Sequence, residues 1–306
     1  MPDASARYGR AFAPNHVSGF FVPRLEARDP RARGSVGAGL VLEAGVTATA
    51  QWTPEVRPSV RVRWEGTGRL EISEAVAARL LAARPGRLRV HLEHALPIGQ
   101  GFGSSAAGAV ATGLAVAEAL ELPPRRALEV AHLAELFGGG GLGGVAAILG
   151  GGLEVRVRAG LPPRGRVVRT PVEETVLLGT VGAPIRSTVI LREPRRLRHF
   201  AEGERTFATY LSDPGWGEFW ESAERFTDLA GLAPPRLAAT LRGLRRRGVS
   251  AAQAMFGRSF FATSPRSRDR GPLLRWLTGE RIRFREVPVA RTGARRLQGR
   301  TEGSSS

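Results

Sequence analysis

This chain has no cysteine and no lysine. Without cysteine there is no disulfide, no thiolate metal site and no cysteine nucleophile. Without lysine, two common ways of holding ATP are excluded. A Walker loop needs Gly-Lys-Ser/Thr, and a protein-kinase site needs a strand lysine for the phosphates. Aromatic residues make up only 7% of the chain, which leaves no obvious stacking platform for nucleic-acid bases. No apolar run approaches the ~20 residues of a membrane span, and the N-terminus lacks a signal-peptide apolar stretch. The expectation is a soluble cytoplasmic protein without a membrane partner.

What is present is enough for a folded enzyme. The chain has 306 residues, of which 42% are hydrophobic, so it can bury a core in one large or two modest domains. All 45 of its Lys+Arg residues are arginine and the formal net charge is +17. Arginine clusters stand at 192–198, 242–247 and 291–300. They could neutralise nucleic-acid phosphates. No recognised nucleic-acid motif accompanies them, however, and a compositional bias beside an anionic substrate explains them equally simply.

Alternating apolar residues predict strands at 60–64, 88–92 and 153–157. Helices are predicted at 74–83, 105–120 and 125–137, bounded by Pro85-Gly86, Pro123-Pro124 and the glycine run from Gly138. Leu161-Pro162-Pro163-Arg164-Gly165 is the clearest boundary candidate. Beyond it, 175–181, 259–263 and 282–285 read as strands, and 219–229 and 236–246 as helices. This alternation predicts α+β or α/β layers. The segment from Arg291 to Ser306 is basic, then Gly/Ser-rich, and is expected to be disordered.

The most informative stretch is Leu96-Pro97-Ile98-Gly99-Gln100-Gly101-Phe102-Gly103-Ser104-Ser105-Ala106-Ala107-Gly108. It joins a predicted strand to a predicted helix. Glycines let backbone approach a ligand, and the amides and dipole of the helix start favour phosphate. Ser104 and Ser105 could cap the helix or hold a phosphate or metal ion. The plainer alternative is a glycine turn with an ordinary serine cap. The Gly-x-Gly-x-x-Gly spacing of dinucleotide sites is not met, because Ala106 follows Gly101 and Gly103.

Other candidates stand further along. Glu135 shares a helical face with Leu128 and Ala131, so it is expected to point inward. A buried carboxylate needs a cation, either a metal or a neighbouring arginine. Arg156 lies on a predicted strand opposite Leu153, Val155 and Val157, either as a solvated residue or as a fork for a carboxylate. His16 follows Pro14-Asn15 in an expected loop. His91 and His94, three apart on a strand, point to opposite faces and make no metal pair.

The glycine-serine stretch resembles the phosphate loop of the GHMP kinases, which bind ATP without a Walker lysine. Three further segments resemble one branch, the archaeal-type pantoate kinases. They are Ala11-Phe12-Ala13-Pro14-Asn15-His16-Val17-Ser18-Gly19-Phe20-Phe21, then His132-Leu133-Ala134-Glu135 with Gly141-Leu142-Gly143 and Gly151-Gly152-Leu153-Glu154-Val155-Arg156, and Ala254-Met255-Phe256-Gly257-Arg258-Ser259-Phe260-Phe261-Ala262. The resemblance implies an α+β, two-domain GHMP kinase fold. Residues 1–160 would form a ribosomal protein S5 domain 2-like, ATP-binding domain. Residues 161–290 would form a ferredoxin-like domain, and 291–306 the tail. It also implies ATP-dependent phosphorylation of pantoate to 4-phosphopantoate in coenzyme A biosynthesis, and a homodimer.

By the same resemblance, ATP would be bound by Pro97, Gly99, Gly101, Gly103, Ser104, Ser105 and Ala106. Mg²⁺ would be held by Ser105 and Glu135, which are also the catalytic pair, and the substrate by His16 and Arg156. The chain departs from the branch at Gly144, where an aspartate is usual and would serve as the base, and at Ile148, where an amide is common. Two alternatives follow: a GHMP-fold protein with lost or altered kinase activity, and, less favoured, an arginine-rich nucleic-acid-binding protein.

Overall fold

The computed structural model describes residues 6–66, 68–184, 197–255, 257–265 and 267–298, the side chains of 197–200 aside. Its first sheet grows from two long strands, β1 (Arg7–Arg24) and β2 (Gly34–Thr53), paired antiparallel from Arg7 opposite Trp52 to Arg24 opposite Gly34. Sequence periodicity does not mark either strand. Both faces of β2 are covered over most of its N-terminal half, and β1 carries glycine and proline, so alternation is lost.

The far edge of β2 is shared. Its C-terminal half pairs with β4 (Arg87–His94), which takes β3 (Ser59–Trp64) in parallel beyond it. Its N-terminal half pairs with β5 (Leu153–Arg158), which pairs in turn with β6 (Arg166–Thr170). Register shifts in β1 fall at Pro14/Asn15 and Ser18/Phe20. Bulges re-aim side chains beside active sites, and these bracket Asn15 and His16.

Helix α2 (Ser104–Ala119) lies against β1 and β2 beneath α1 (Glu71–Leu81) and α3 (Pro124–Gly138), and a short α4 (Gly144–Ala147) follows. Nearly every residue of α2 is buried, and most are alanine, glycine or valine. A helix apolar on all sides belongs in a core. Its approach to the sheet is close: a Cβ at Gly9 would lie 2.1 Å from the Ala115 carbonyl oxygen.

The second sheet has the antiparallel order β10 (Arg283–Pro288), β7 (Thr175–Thr180), β9 (Ser259–Thr263), β8 (Ala251–Gln253). Helices α5 (Leu197–Ser212), α6 (Trp216–Ala230) and α7 (Pro235–Arg245) lie between β7 and β8 in sequence, and α8 (Ser267–Gly279) between β9 and β10. With β8–β9 a hairpin, this is the ferredoxin-like order expected. Leu177, Phe260 and Ala262 pack on α7 and α8, whereas Val176, Leu178 and Phe261 face a core shared with β1, β2 and α6. Aromatic side chains fill that shared core: Phe20 meets Tyr210 edge-on at 5.2 Å, and Trp220 meets Phe261 at 5.2 Å.

Two expected boundaries shift. The 161–165 segment is the turn between β5 and β6, so the first sheet continues to Thr170. The tail from Arg291 is also folded in part. Its β11 (Arg295–Arg296) pairs with Ala11 and Phe12 of β1, and the Arg295 guanidinium lies 4.8 Å from the Phe12 ring centre. Residues 299–306, and most of the 192–198 arginine cluster with its side chains, lie outside the described residues. In the 242–247 cluster, Arg245 bonds Asp228 at 2.7 Å and Arg247 covers the Trp276 ring. Among the described residues no helix is long and apolar enough to cross a membrane.

Candidate active site

The glycine turn ends in a left-handed residue, Gly103 (φ 67°), which caps α2 without a side-chain hydrogen bond. Ser104 and Ser105 are therefore not caps but the first helical residues. The Ala107 amide donates to the Gly103 carbonyl, so the amides of Ser104, Ser105 and Ala106 precede the helical ladder. They open on a cavity of about 360 Å³ lined also by Gly99, Gly101 and Gly103. Pro97 is exposed and stands outside that lining.

Both sheets hold the turn in place. Asn15 Nδ2 donates to the Phe102 carbonyl at 2.8 Å and to Ser104 Oγ at 3.2 Å, and the His16 amide donates to the same carbonyl. From the second sheet, the Ser259 hydroxyl donates to the Gln100 carbonyl, and Gln100 Nε2 donates to the Gly182 carbonyl. A Cβ at Gly101 would stand 2.6 Å from the Ala254 carbonyl oxygen, and one at Gly103 2.8 Å from that of His16. Asn15→Ala is expected to lower stability by ~1–3 kcal/mol, because the bonds it supplies are fully buried. Urea unfolding checks this, and nucleotide affinity should fall with it.

Glu135, one turn from the end of α3, is 3% exposed and accepts a hydrogen bond from the Ser105 hydroxyl. No arginine reaches it among the described residues, so the arginine pairing expected as one alternative is not formed there. Burial pushes its carboxyl up to about 7, against the Ser105 bond, which lowers it. A carboxylate in this position has no counter-charge among the described residues. It and the adjacent hydroxyl form a hard oxygen pair of the kind that holds Mg²⁺ together with substrate phosphates. The glycine run after α3 packs on this pair: a Cβ at Gly140 would lie 2.3 Å from Glu135 Oε1 and 2.7 Å from Ser105 Oγ.

His16 is not in a loop. It sits on β1, 4% exposed, with Nε2 2.8 Å from Glu154 Oε1. Arg156 donates to the same oxygen and is itself 2% exposed, so it is not a solvated strand residue. Gly143 covers it, a Cβ there standing 2.7 Å from Arg156 Nε. His16, Ser18 and Ser35 line the cavity at this end, and Arg156 stands behind the wall. Burial lowers the His16 pKa; Glu154 opposes that shift, and Arg156 and Arg169 add to it. One carboxylate thus faces two guanidiniums, since Arg169 is fixed nearby on the Ala146 and Ala147 carbonyls.

At its more apolar end, beyond the helix start, the cavity wall carries Leu70, Ile72 and Ile98, with Arg69, Glu71 and Ser73 beside them. His94 joins them edge-on to Trp64 at 5.6 Å, and burial holds its pKa down at about 4. His91 is exposed on the opposite face of β4, as the spacing predicts.

Residues 71–152 match the model of the GHMP kinases N terminal domain. The chain is 31% identical over 260 residues to the pantoate kinase of Thermococcus kodakarensis, covering 83% of this chain and 86% of that one. The chain belongs to the pantoate kinase branch of the GHMP kinases. The pantoate kinase of Methanospirillum hungatei is 27% identical, covering 84% of this chain and 88% of that one. Among solved structures, a "phosphotransferase related to CoA biosynthesis pathway" superposes with a TM-score of 0.85 at 27% identity, covering 97% of this chain and all of that one.

Within this GHMP fold the structure gathers Gly99, Gly101, Gly103, Ser104, Ser105, Ala106, Glu135 and His16 around one cavity, with Arg156 behind it and Pro97 apart. Sequence reading did not single out Glu154, Asn15 or the cavity role of His94. Glu154 had a faint signal, a polar residue alternating with Arg156 on a strand. Whether that face was wet or covered depends on Gly143 and β1, which sequence does not place.

Proposed function

We propose that this chain transfers the γ-phosphoryl group of ATP to a hydroxyl of pantoate, giving 4-phosphopantoate for coenzyme A synthesis. The observation that carries the reading is the meeting, in one cavity, of a lysine-free glycine turn, the Ser105–Glu135 oxygen pair and a buried cationic wall. The relatives' names point the same way. Amides from Gly101 to Ala106 hold the triphosphate, and the apolar end with His94 takes the base. Ser105 and Glu135 hold Mg²⁺, which would supply charge neutralisation on the transferring phosphates.

The acceptor lies against His16, Ser18 and Ser35. Behind it, Arg156 and Arg169 outweigh Glu154 by one charge and favour an acid over a neutral alcohol. An ADP-release assay with pantoate, mevalonate and homoserine tests the assignment. Turnover is expected with pantoate; turnover of another acid in its place, or of none, overturns it.

A further inference from the structure

Phosphoryl transfer to an alcohol leaves a proton to be placed, and few groups in this cavity can take it. Its lining holds four side chains able to accept a proton: His16, Glu71, His94 and Glu135. Glu71 and His94 stand at the apolar end beside Leu70 and Ile72, and Glu135 is engaged with Ser105. Gly144 lines the cavity and offers no side chain; a Cβ there would meet the Ala106 Cβ at 2.7 Å, so the Ala106 methyl leaves little room for one.

We propose that His16, oriented by Glu154, is the general base that takes the proton of the acceptor hydroxyl. This rests on the phosphoryl-transfer reading above. Glu154 Oε1 accepts from Arg156, and its carboxylate fixes the imidazole tautomer with the proton on Nε2. Nδ1, with no hydrogen bond to any described residue, is then the lone-pair nitrogen of a ring that lines the cavity. The hydroxyl oxygen attacks the γ-phosphorus, its proton passes to Nδ1, and the bond to the β-phosphate oxygen breaks, releasing ADP. The imidazolium formed lies against the Glu154 carboxylate, which stabilises it. Glu154 is a positioning residue.

The charged and titratable groups around the ring are Glu154 and Arg156 on β5 and Arg169 on β6. Burial, with the Glu154 charge adding to it, pushes Tyr210 on α5 up to about 12, so it stays protonated. Burial leads the shift that keeps His16 neutral below its ordinary range. The rate should therefore hold steady through neutral pH and fall only on the acid side of ~6.5.

The test follows kcat and its pH profile with MgATP and pantoate for the parent, His16→Asn, Glu154→Gln and the pair Gly144→Asp with Ala106→Gly in the His16→Asn background. His16→Asn should lose ~100-fold in kcat and the acid limb, while MgATP still raises its Tm. Glu154→Gln should lower kcat and move the limb, and the added aspartate should recover at least ~10-fold. Nitrogen-15 NMR of the parent, which needs no variant to fold, should show His16 protonated on Nε2. A His16→Asn protein within threefold of the parent, an unchanged acid limb, or the opposite tautomer overturns the base assignment alone. A parent that binds MgATP yet phosphorylates no acid overturns it together with the kinase reading.

Discussion

Glu135→Gln is expected to make the protein more stable and catalytically inert at once. The carboxyl titrates at about 7 in the fold against an ordinary 4.5, because burial disfavours its charge. The folded protein thus binds more protons than the unfolded chain between those values. The stability of the neutral form is complete below about pH 4.5 and is lost as pH rises through about 7. At ~1.4 kcal/mol per pH unit, the charged carboxylate costs the ligand-free protein on the order of 3 kcal/mol at pH 8. Glutamine keeps the shape and can still bond Ser105 without that cost.

Thermal unfolding at pH 8 should therefore show a higher Tm for Glu135→Gln, and the difference should vanish near pH 4.5. If Glu135 holds Mg²⁺ as proposed, phosphoryl transfer should fall ~1,000-fold or more, since the ion would supply several kcal/mol of transition-state charge stabilisation. MgATP at 100 times its Kd should add ~2.7 kcal/mol to the parent and much less to the variant. A variant no more stable than the parent at pH 8 would contradict the raised carboxyl. An active variant would remove Glu135 from the site.

Gly103→Ala should impair both stability and turnover through two separable effects. The residue lies in the left-handed region at φ 67°, where alanine costs ~1–2 kcal/mol. Its new Cβ would also stand 2.8 Å from the His16 carbonyl oxygen and 3.0 Å from the His16 nitrogen. Those are backbone atoms of a strand paired with β2, so the loop has to move and β1 does not. Displacing reacting groups by ~1 Å costs ~100-fold in rate, which is the expected drop in kcat/KM. Gly231→Ala is the control: its φ is 60°, but a Cβ there meets nothing within 4 Å. It should lose a comparable increment of stability and no activity. Equal activity losses in the two variants would mean that strain, and not the fit against His16, governs the loop.

Some of this site was legible early because its signals are local. The glycine-serine turn, its preceding strand and its following helix lie within one stretch, and Glu135 follows from helical spacing alone. The strands at β3, β4, β5, β7 and β9 showed themselves by alternation or by compact apolar runs. The hairpin of β1 and β2 did not, although it is the centre of the first sheet. A strand covered on both faces has no period to read.

Composition and short-range pattern by themselves excluded a lysine-based ATP site and determined the alternating strand and helix layers and the inward face of Glu135, while the resemblance to the GHMP kinases narrowed the layers to α+β. Tertiary structure alone decided the environments. Residues 138 apart in sequence bring His16 onto Glu154, Gly143 turns Arg156 from a surface arginine into a buried one, and Ser105 is the only described partner of Glu135. Burial and charge pairing are properties of what surrounds a residue. They set whether a carboxylate or an imidazole carries its proton, so the chemistry of the glycine turn's neighbours becomes readable only when the chain has closed around them.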